Sequence, residues 1–313
     1  LTRREWMALG AGAMAQAQKP APTRFQIGCM TIVYSGFPFE RALRGIRAAG
    51  YQYCAWGTTH PDSTGKRTPL ITPAQPPADA AKLGDRTRSE GLEPLMMFSM
   101  VNLEDKDAPD LHGRRIDQAA AAKIPYLLTF GRTRPGEYEN VIKCLKHAGP
   151  LARKAGVTVV IKQHGGNTAT GVDCSKIIAE VADEGVKMCY DAGNVLDYEN
   201  DDPLPDIREC WRDVRAFAIK DHRNTPKDED CGPGFGEIDH YELLAPVAHT
   251  GRSMPLCCEN IFEPLLRRPA TPDGIDRLAQ RAREFLETVT RGLQSATPDA
   301  FRPARAFRPA PAP

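Results

Sequence analysis

Along the middle of this chain, short apolar runs alternate with helix-periodic segments eight times, and no other feature constrains the fold as strongly. The apolar runs cover 25–32, 51–56, 94–100, 126–130, 157–164, 186–191, 214–222 and 254–262. The helix-periodic segments cover 39–49, 78–90, 110–122, 138–155, 173–183, 204–213, 241–250 and 275–292. Strands that alternate with helices of this length build βαβ units, and βαβ units build parallel sheets. Gly50, Gly91, Gly156, Gly185 and Gly251 lie between a helix and the next strand, where a glycine supplies the left-handed cap that ends a helix. Eight such units in roughly 270 residues predict a single-domain (β/α)8 TIM barrel over 24–293. An open doubly wound sheet is the alternative, but no Gly-x-Gly-x-x-Gly follows the first run.

Charge and cysteine usage narrow the function classes. The 313 residues carry 41 Lys+Arg against 40 Asp+Glu, a net charge of +1. That balance removes the electrostatic drive behind general nucleic-acid binding. No apolar run approaches the ~20 residues of a transmembrane helix. The nine cysteines are odd in number and contain no Cys-x-x-Cys, so they read as small buried residues rather than a disulfide or zinc framework. Near the start, Arg3-Arg4 precedes an Ala/Gly-rich stretch and Ala15-Gln16-Ala17, which resembles a twin-arginine export signal. Residues 1–23 are therefore set apart from the fold. The expectation is a periplasmic or exported protein, or a cytoplasmic one if that resemblance is accidental. The Pro/Ala-rich segment 294–313 is expected to be disordered.

A TIM barrel places its chemistry at the C-terminal ends of its strands. The fifth run ends Lys162-Gln163-His164, the sixth ends at Asp191, the seventh ends Lys220-Asp221-His222-Arg223, and the eighth ends Glu259-Asn260. Strand side chains alternate faces, so Lys162 and His164 share one face, as do Ala218, Lys220 and His222. Such a set buries several charges together, which is costly unless they pair or bind a metal. Two readings follow: a salt-bridged cap of Lys162 and Lys220 against Asp191 and Glu259, or a reaction centre.

The order of motifs adds to this. His164-Gly165-Gly166-Asn167-Thr168, Tyr190-Asp191-Ala-Gly193-Asn194, Ile219-Lys220-Asp221, Gly234-Phe-Gly236-Glu237-Ile-Asp239 and Glu259 follow one another at regular intervals. The stretch 25–293 thereby resembles the sugar phosphate isomerase/epimerase superfamily, xylose isomerase-like barrels that also include endonuclease IV. The resemblance implies a divalent metal (Mn, Mg or Co) held by a Glu, an Asp, a His and a second Glu. It also implies proton transfer by the two Glu next to a sugar carbonyl. Asp191 matches the Asp and Glu259 the last Glu, but Lys162 stands at the first Glu position and Ala218 at the His position.

Three outcomes stay open. A metal such as Mn, Fe, Co or Zn could be kept by His164, Asp191, His222 and Glu259. Lys162 could replace it as a fixed positive charge or a base, with Glu259, His164 and Lys220 as its catalytic partners. Or the barrel could only bind a sugar. The expected function is a sugar isomerase or epimerase of the metal-assisted kind the superfamily implies; a lyase or hydrolase acting on 3-keto-glycosides and a non-catalytic exported sugar-binding barrel are the alternatives. A small carbohydrate is the expected partner, and a homo-oligomer is possible. Substrate contacts are expected from Trp56, His60, Arg132, Arg223 and Glu237, and a backbone anion or hydroxyl site from Gly165-Gly166-Asn167. His112, His147 and His249 are expected at the surface.

Overall fold

In the computed structural model, which describes residues 21–295, eight parallel strands close into a barrel. They are β1 (Arg24–Met30), β2 (Tyr53–Trp56), β3 (Glu93–Asn102), β4 (Tyr126–Phe130), β5 (Thr158–Lys162), β6 (Val186–Tyr190), β7 (Val214–Ile219) and β8 (Ser253–Cys258). Each strand pairs with its neighbours in sequence, and β1 closes the ring on β8 with Cys29 opposite Cys258. The helices are α1 (Phe39–Ala48), α2 (Pro77–Ser89), α3 (Ala108–Ala121), α4 (Tyr138–Ala155), α5 (Gly171–Val181), α6 (Ala192–Glu199), α7 (Pro203–Cys210), α8 (His240–Leu244) and α9 (Pro272–Ser295). The eightfold alternation read from the sequence is therefore the fold. The export-signal motif and residues 296–313 lie outside the described residues. Gln294, assigned to the tail, instead sits in α9 and donates from its side chain to the Thr23 carbonyl at 2.9 Å. Among the described residues, no helix is long and apolar enough to cross a membrane.

The period-2 rule for strands sorts the core into two layers. Leu127, Val159, Ile161, Met188, Phe217 and Leu256 face outward and pack under the helices. Leu128, Val160, Cys189, Ala216, Ala218 and Cys257 face inward and fill the barrel with Met30, Met96 and Phe98. The next inward positions on β5, β7 and β8 are Lys162, Lys220 and Glu259, so the barrel turns from apolar to charged at its C-terminal mouth. That step decides where function can sit.

Three local departures from the sequence reading have physical causes. The seventh run, expected to be continuous over 214–222, breaks after Ile219, and Asp221–Arg223 pairs instead with Glu229–Cys231 in a short hairpin over the mouth. α5 ends at Ala182 in the left-handed region (φ 54°), not at Gly185, whose lack of a side chain serves a tight approach to the Gly149 carbonyl. His112 is fully buried rather than at the surface. Its Nδ1 donates to the Ala108 carbonyl at 2.9 Å, while Nε2 meets Ser99 and Thr129 hydroxyls at 3.1 and 2.8 Å.

Burial holds the His112 imidazole pKa down to about 4. The folded state thus takes up its proton later than the unfolded chain, whose histidine titrates near 6.5. The stability contributed by neutral His112 is complete above about pH 6.5 and lost as pH falls toward about 4. Urea unfolding across this range should show wild type losing roughly 3 kcal/mol more than His112→Gln. Parallel losses in the two proteins would remove His112 from the account.

Candidate functional site

At the C-terminal mouth a cavity of about 420 Å³ is lined by Lys162, His164, Tyr198, Lys220, Asp230 and Glu259, among others. The barrel strands deliver Lys162, Lys220 and Glu259, each on an inward register position just past the apolar run, with His164 following β5; Tyr198 comes from α6 and Asp230 from the hairpin over the mouth.

Lys162 is the centre. Its Nζ donates to Asp191 Oδ2 at 2.7 Å and to Glu259 Oε1 and Oε2 at 2.9 and 2.8 Å, with the Lys162 and Asp191 side chains 4% and 0% exposed. Burial alone would push the lysine down, but Asp191 and Glu259 outweigh it and hold the ammonium well above the usual lysine range. Burial likewise acts to raise Asp191, but Lys162 and then Lys220 bring it below the usual carboxylate range. Glu259 goes the other way: burial dominates, Lys162 offsets only part of it, and its carboxyl sits above the usual range. The two acids thus differ in basicity although they share one ammonium.

Asp191 is placed by the turn from β6 into α6. Its Oδ1 accepts the Asn194 backbone N–H at 3.0 Å and caps α6, while its own N–H donates to Gln163 Oε1 at 2.8 Å. Asn194 donates to the Gln163 carbonyl at 2.6 Å and accepts from Lys220. Lys220 also donates to Asp230 Oδ2 at 2.7 Å. An ammonium has three donors, so one Lys220 N–H is left for the cavity. Gly193 lets this lysine pass, since a Cβ there would lie 2.6 Å from its stem. Burial works against the Lys220 charge, and Asp191 and Glu259 outweigh it, so this ammonium too is held above its ordinary range.

His164 reaches the cavity with a defined tautomer. Nδ1 donates to the Gly131 carbonyl at 3.1 Å, which leaves Nε2 as an acceptor, and the ring packs on Phe130 at 4.3 Å between centroids. Burial first, and Lys162 second, lower its pKa and keep it neutral.

The four-residue metal set is not brought together. His222 turns away from Asp191 and Glu259: its Nδ1 lies 3.1 Å from Asp230 Oδ1 and its Nε2 lies 3.3 Å from Asp228 Oδ1. Between Asp191 and Glu259 the cationic position is taken by Lys162, so those two acids do not fit a metal as they stand. Among the described residues, a different group could hold an ion: Asp197, His222 and Asp228 present ligand atoms within 4.8 Å of one another. Of the expected salt-bridged cap, Lys162 pairs with Asp191 and Glu259, whereas Lys220 pairs with Asp230 instead.

The expected substrate contacts lie elsewhere. Trp56 is buried outside the barrel, donating to Thr87 Oγ1 at 3.1 Å. His60 bridges the Phe37 carbonyl and Thr31 Oγ1 at 2.9 and 3.0 Å. Arg132 pairs with Asp105 in a separate surface cleft, and Arg223 donates to the Thr225 carbonyl at 2.9 Å. Glu237 accepts the Asn224 backbone N–H at 2.9 Å, ordering the hairpin rather than the His222 ring. Gly165 and Gly166 pack against the 132–134 backbone, and Asn167 donates to Glu104 and to the Gly136 carbonyl, both at 3.2 Å. Conversely, Asn194, Tyr198 and Asp230 were not singled out, although Asn194 closes the quoted Tyr190–Asn194 motif. Asp230 carries no local signal, because its place is set by the pairing of Glu229–Cys231 with Asp221–Arg223 and not by strand alternation in the barrel.

Removing the lysine leaves two buried carboxylates facing each other. Lys162→Met should cost about 3–5 kcal/mol in urea unfolding, the penalty for breaking a buried pair from one side. A change under about 1 kcal/mol would mean that the pair is solvated.

The likeness to known proteins agrees with this architecture. A solved L-ribulose 3-epimerase superposes with a TM-score of 0.65 at 16% identity, covering 86% of this chain and 95% of that one. D-allulose 3-epimerase from Methylomonas sp., solved with D-allulose, gives 0.64 at 19% identity over 86% and 99%. A xylose isomerase-like TIM barrel protein from Mycobacterium smegmatis, in complex with magnesium, gives 0.64 at 14% identity over 88% and 98%. At these identities the likeness shows the fold alone. No curated protein matches the sequence. The family model for the xylose isomerase-like TIM barrel matches residues 43–287, and the chain belongs to that family.

Proposed function

We propose that the protein is a sugar isomerase- or epimerase-like enzyme that moves a proton at the carbon next to a carbonyl of a small polyhydroxylated substrate. The observation that carries this reading is the joint opening of Glu259, His164 and the Lys220 ammonium into one cavity of about 420 Å³. The sugar epimerases of the same fold support the substrate class.

The roles follow from the unused valences. Glu259 spends one lone pair on each oxygen on Lys162, and a carboxylate has about four acceptor sites, so it retains sites for a proton. Its raised pKa makes it the stronger base of the two acids and suits it to remove the proton next to the carbonyl. The free N–H of Lys220 donates to the carbonyl oxygen and holds the negative charge that develops on it as the C–H bond breaks. His164 Nε2 accepts a hydrogen bond from a neighbouring hydroxyl, fixing which carbon faces Glu259. Glu259 returns the proton on the same face to the neighbouring carbon, while that carbon's hydroxyl proton passes through His164 Nε2 to the former carbonyl oxygen held by Lys220, which completes isomerisation; epimerisation needs a second proton donor on the opposite face. The magnesium in the relative's structure gives metal assistance a place among the readings for this chain, and the Asp197–His222–Asp228 group is where these residues offer ligands.

Incubation with a panel of keto- and aldo-sugars in D2O tests the reading. Wild type should wash deuterium into the carbon next to the carbonyl of at least one sugar, and Glu259→Gln should lower that exchange by about 10²–10⁴-fold. Lys220→Met should lower kcat by about 10²–10³-fold, as for loss of one oxyanion donor. Sugar binding without exchange in wild type would make the barrel a binding module.

A further inference from the structure

We infer that the Lys162 ammonium is a covalently tethered replacement for a divalent cation, and that the centre of this barrel is closed to metal. The inference rests on the proposed reaction for its purpose, but its evidence is geometric. Asp191 and Glu259 lie on β-strand ends where two carboxylates face one another across the mouth. Their charges must be compensated, and here one Nζ within 2.7–2.9 Å of three of their oxygens compensates them. A metal ligated by the same oxygens would sit roughly 2.0–2.6 Å from each, in the volume that Nζ already fills. Metal and ammonium cannot share that volume, and two cations there would repel.

The surroundings are built for a tether. Leu128, Val160, Cys189, Ala218 and Cys257 form the apolar floor beneath the lysine, and Phe130 has its ring centroid 5.9 Å from Nζ. Ala218 is informative, because a metal centre would gain from a nitrogen or oxygen donor there, whereas a methyl group offers none. Asp191 is already oriented: Oδ1 caps α6 and Oδ2 is turned to the lysine, so the oxygen that faces Glu259 meets an ammonium where a shared ion would sit. What a metal supplies in such a site is a fixed positive charge that orients the base. A lysine supplies that charge without exchange with solvent ions, at the loss of a direct Lewis-acid contact to the substrate, which leaves the substrate oxygen to Lys220.

Manganese(II) titration of the full chain, followed by electron paramagnetic resonance, tests this. Wild type should show either no tight manganese or manganese held only by the Asp197–His222–Asp228 group, in which case Asp228→Asn abolishes it. Binding that survives in Asp228→Asn and is lost in Glu259→Gln would overturn the inference. Lys162→Glu, which restores a carboxylate, should gain a stoichiometric manganese site and a melting temperature that rises with added manganese. A folded Lys162→Glu protein, checked by circular dichroism, that gains no manganese would also overturn it. The wild-type and Asp228→Asn measurements decide the question even if Lys162→Glu does not fold. All of these readouts are independent of turnover, so a missing proton exchange would sink the proposed reaction and leave this result standing.

Discussion

Placing an ammonium group at the mouth of an apolar barrel costs several kcal/mol unless carboxylates replace the lost water. Lys162 meets that cost with Asp191 and Glu259, and much of the mouth is arranged around the three. Asp191 caps α6, so the ion pair fixes where that helix begins. α6 in turn presents Asn194, which holds Lys220, and Lys220 reaches Asp230 on the hairpin. One buried charge thus ties together the ends of four strands, a helix start and the cover of the cavity. Such a pair need not add net stability over an apolar alternative. Its contribution is position: it orients Glu259 and sets two carboxylates at different basicities.

The electrostatics divide labour between two lysines that look equivalent in the sequence. Lys162 has spent its three donors on carboxylates, while Lys220 keeps one for the cavity. The first orients and the second can touch a ligand. His164 adds a neutral acceptor whose tautomer is set by the Gly131 carbonyl. Under the proposed reaction, base, donor and acceptor would enter the cavity with their protons assigned before any substrate arrives, the preorganisation that proton transfer next to a carbonyl needs.

The barrel and its charged strand ends were legible because both rest on local periodicity. An apolar run that ends in Lys, Asp or Glu reads the same in sequence and in space, and Lys162, Asp191, Lys220 and Glu259 all meet at the mouth as that rule requires. The rule fails where the chain leaves the strand. His222 was placed by continuing the alternation past Ile219, but the strand ends there and the hairpin carries the ring to Asp228 and Asp230. Trp56 and His60 have side chains suited to a sugar, yet their partners, Thr87, Phe37 and Thr31, lie on neighbouring segments that no local pattern brings near. Arg132 had a similar fate with Asp105. His112 was read as a surface residue because its buried partners come from β3 and β4.

The most direct test of the central claim is the protonation state of one nitrogen. Lysine-selective ¹⁵N NMR, with the signal assigned by its loss in Lys162→Met, follows the Lys162 Nζ as pH is raised. An ammonium locked between Asp191 and Glu259 keeps its charged-state shift and slow proton exchange at and beyond the ordinary lysine value of about 10.4. A signal that moves to the neutral amine below that value would contradict the account, because a lysine that gives up its proton so easily could neither neutralise both carboxylates nor take the place of a cation.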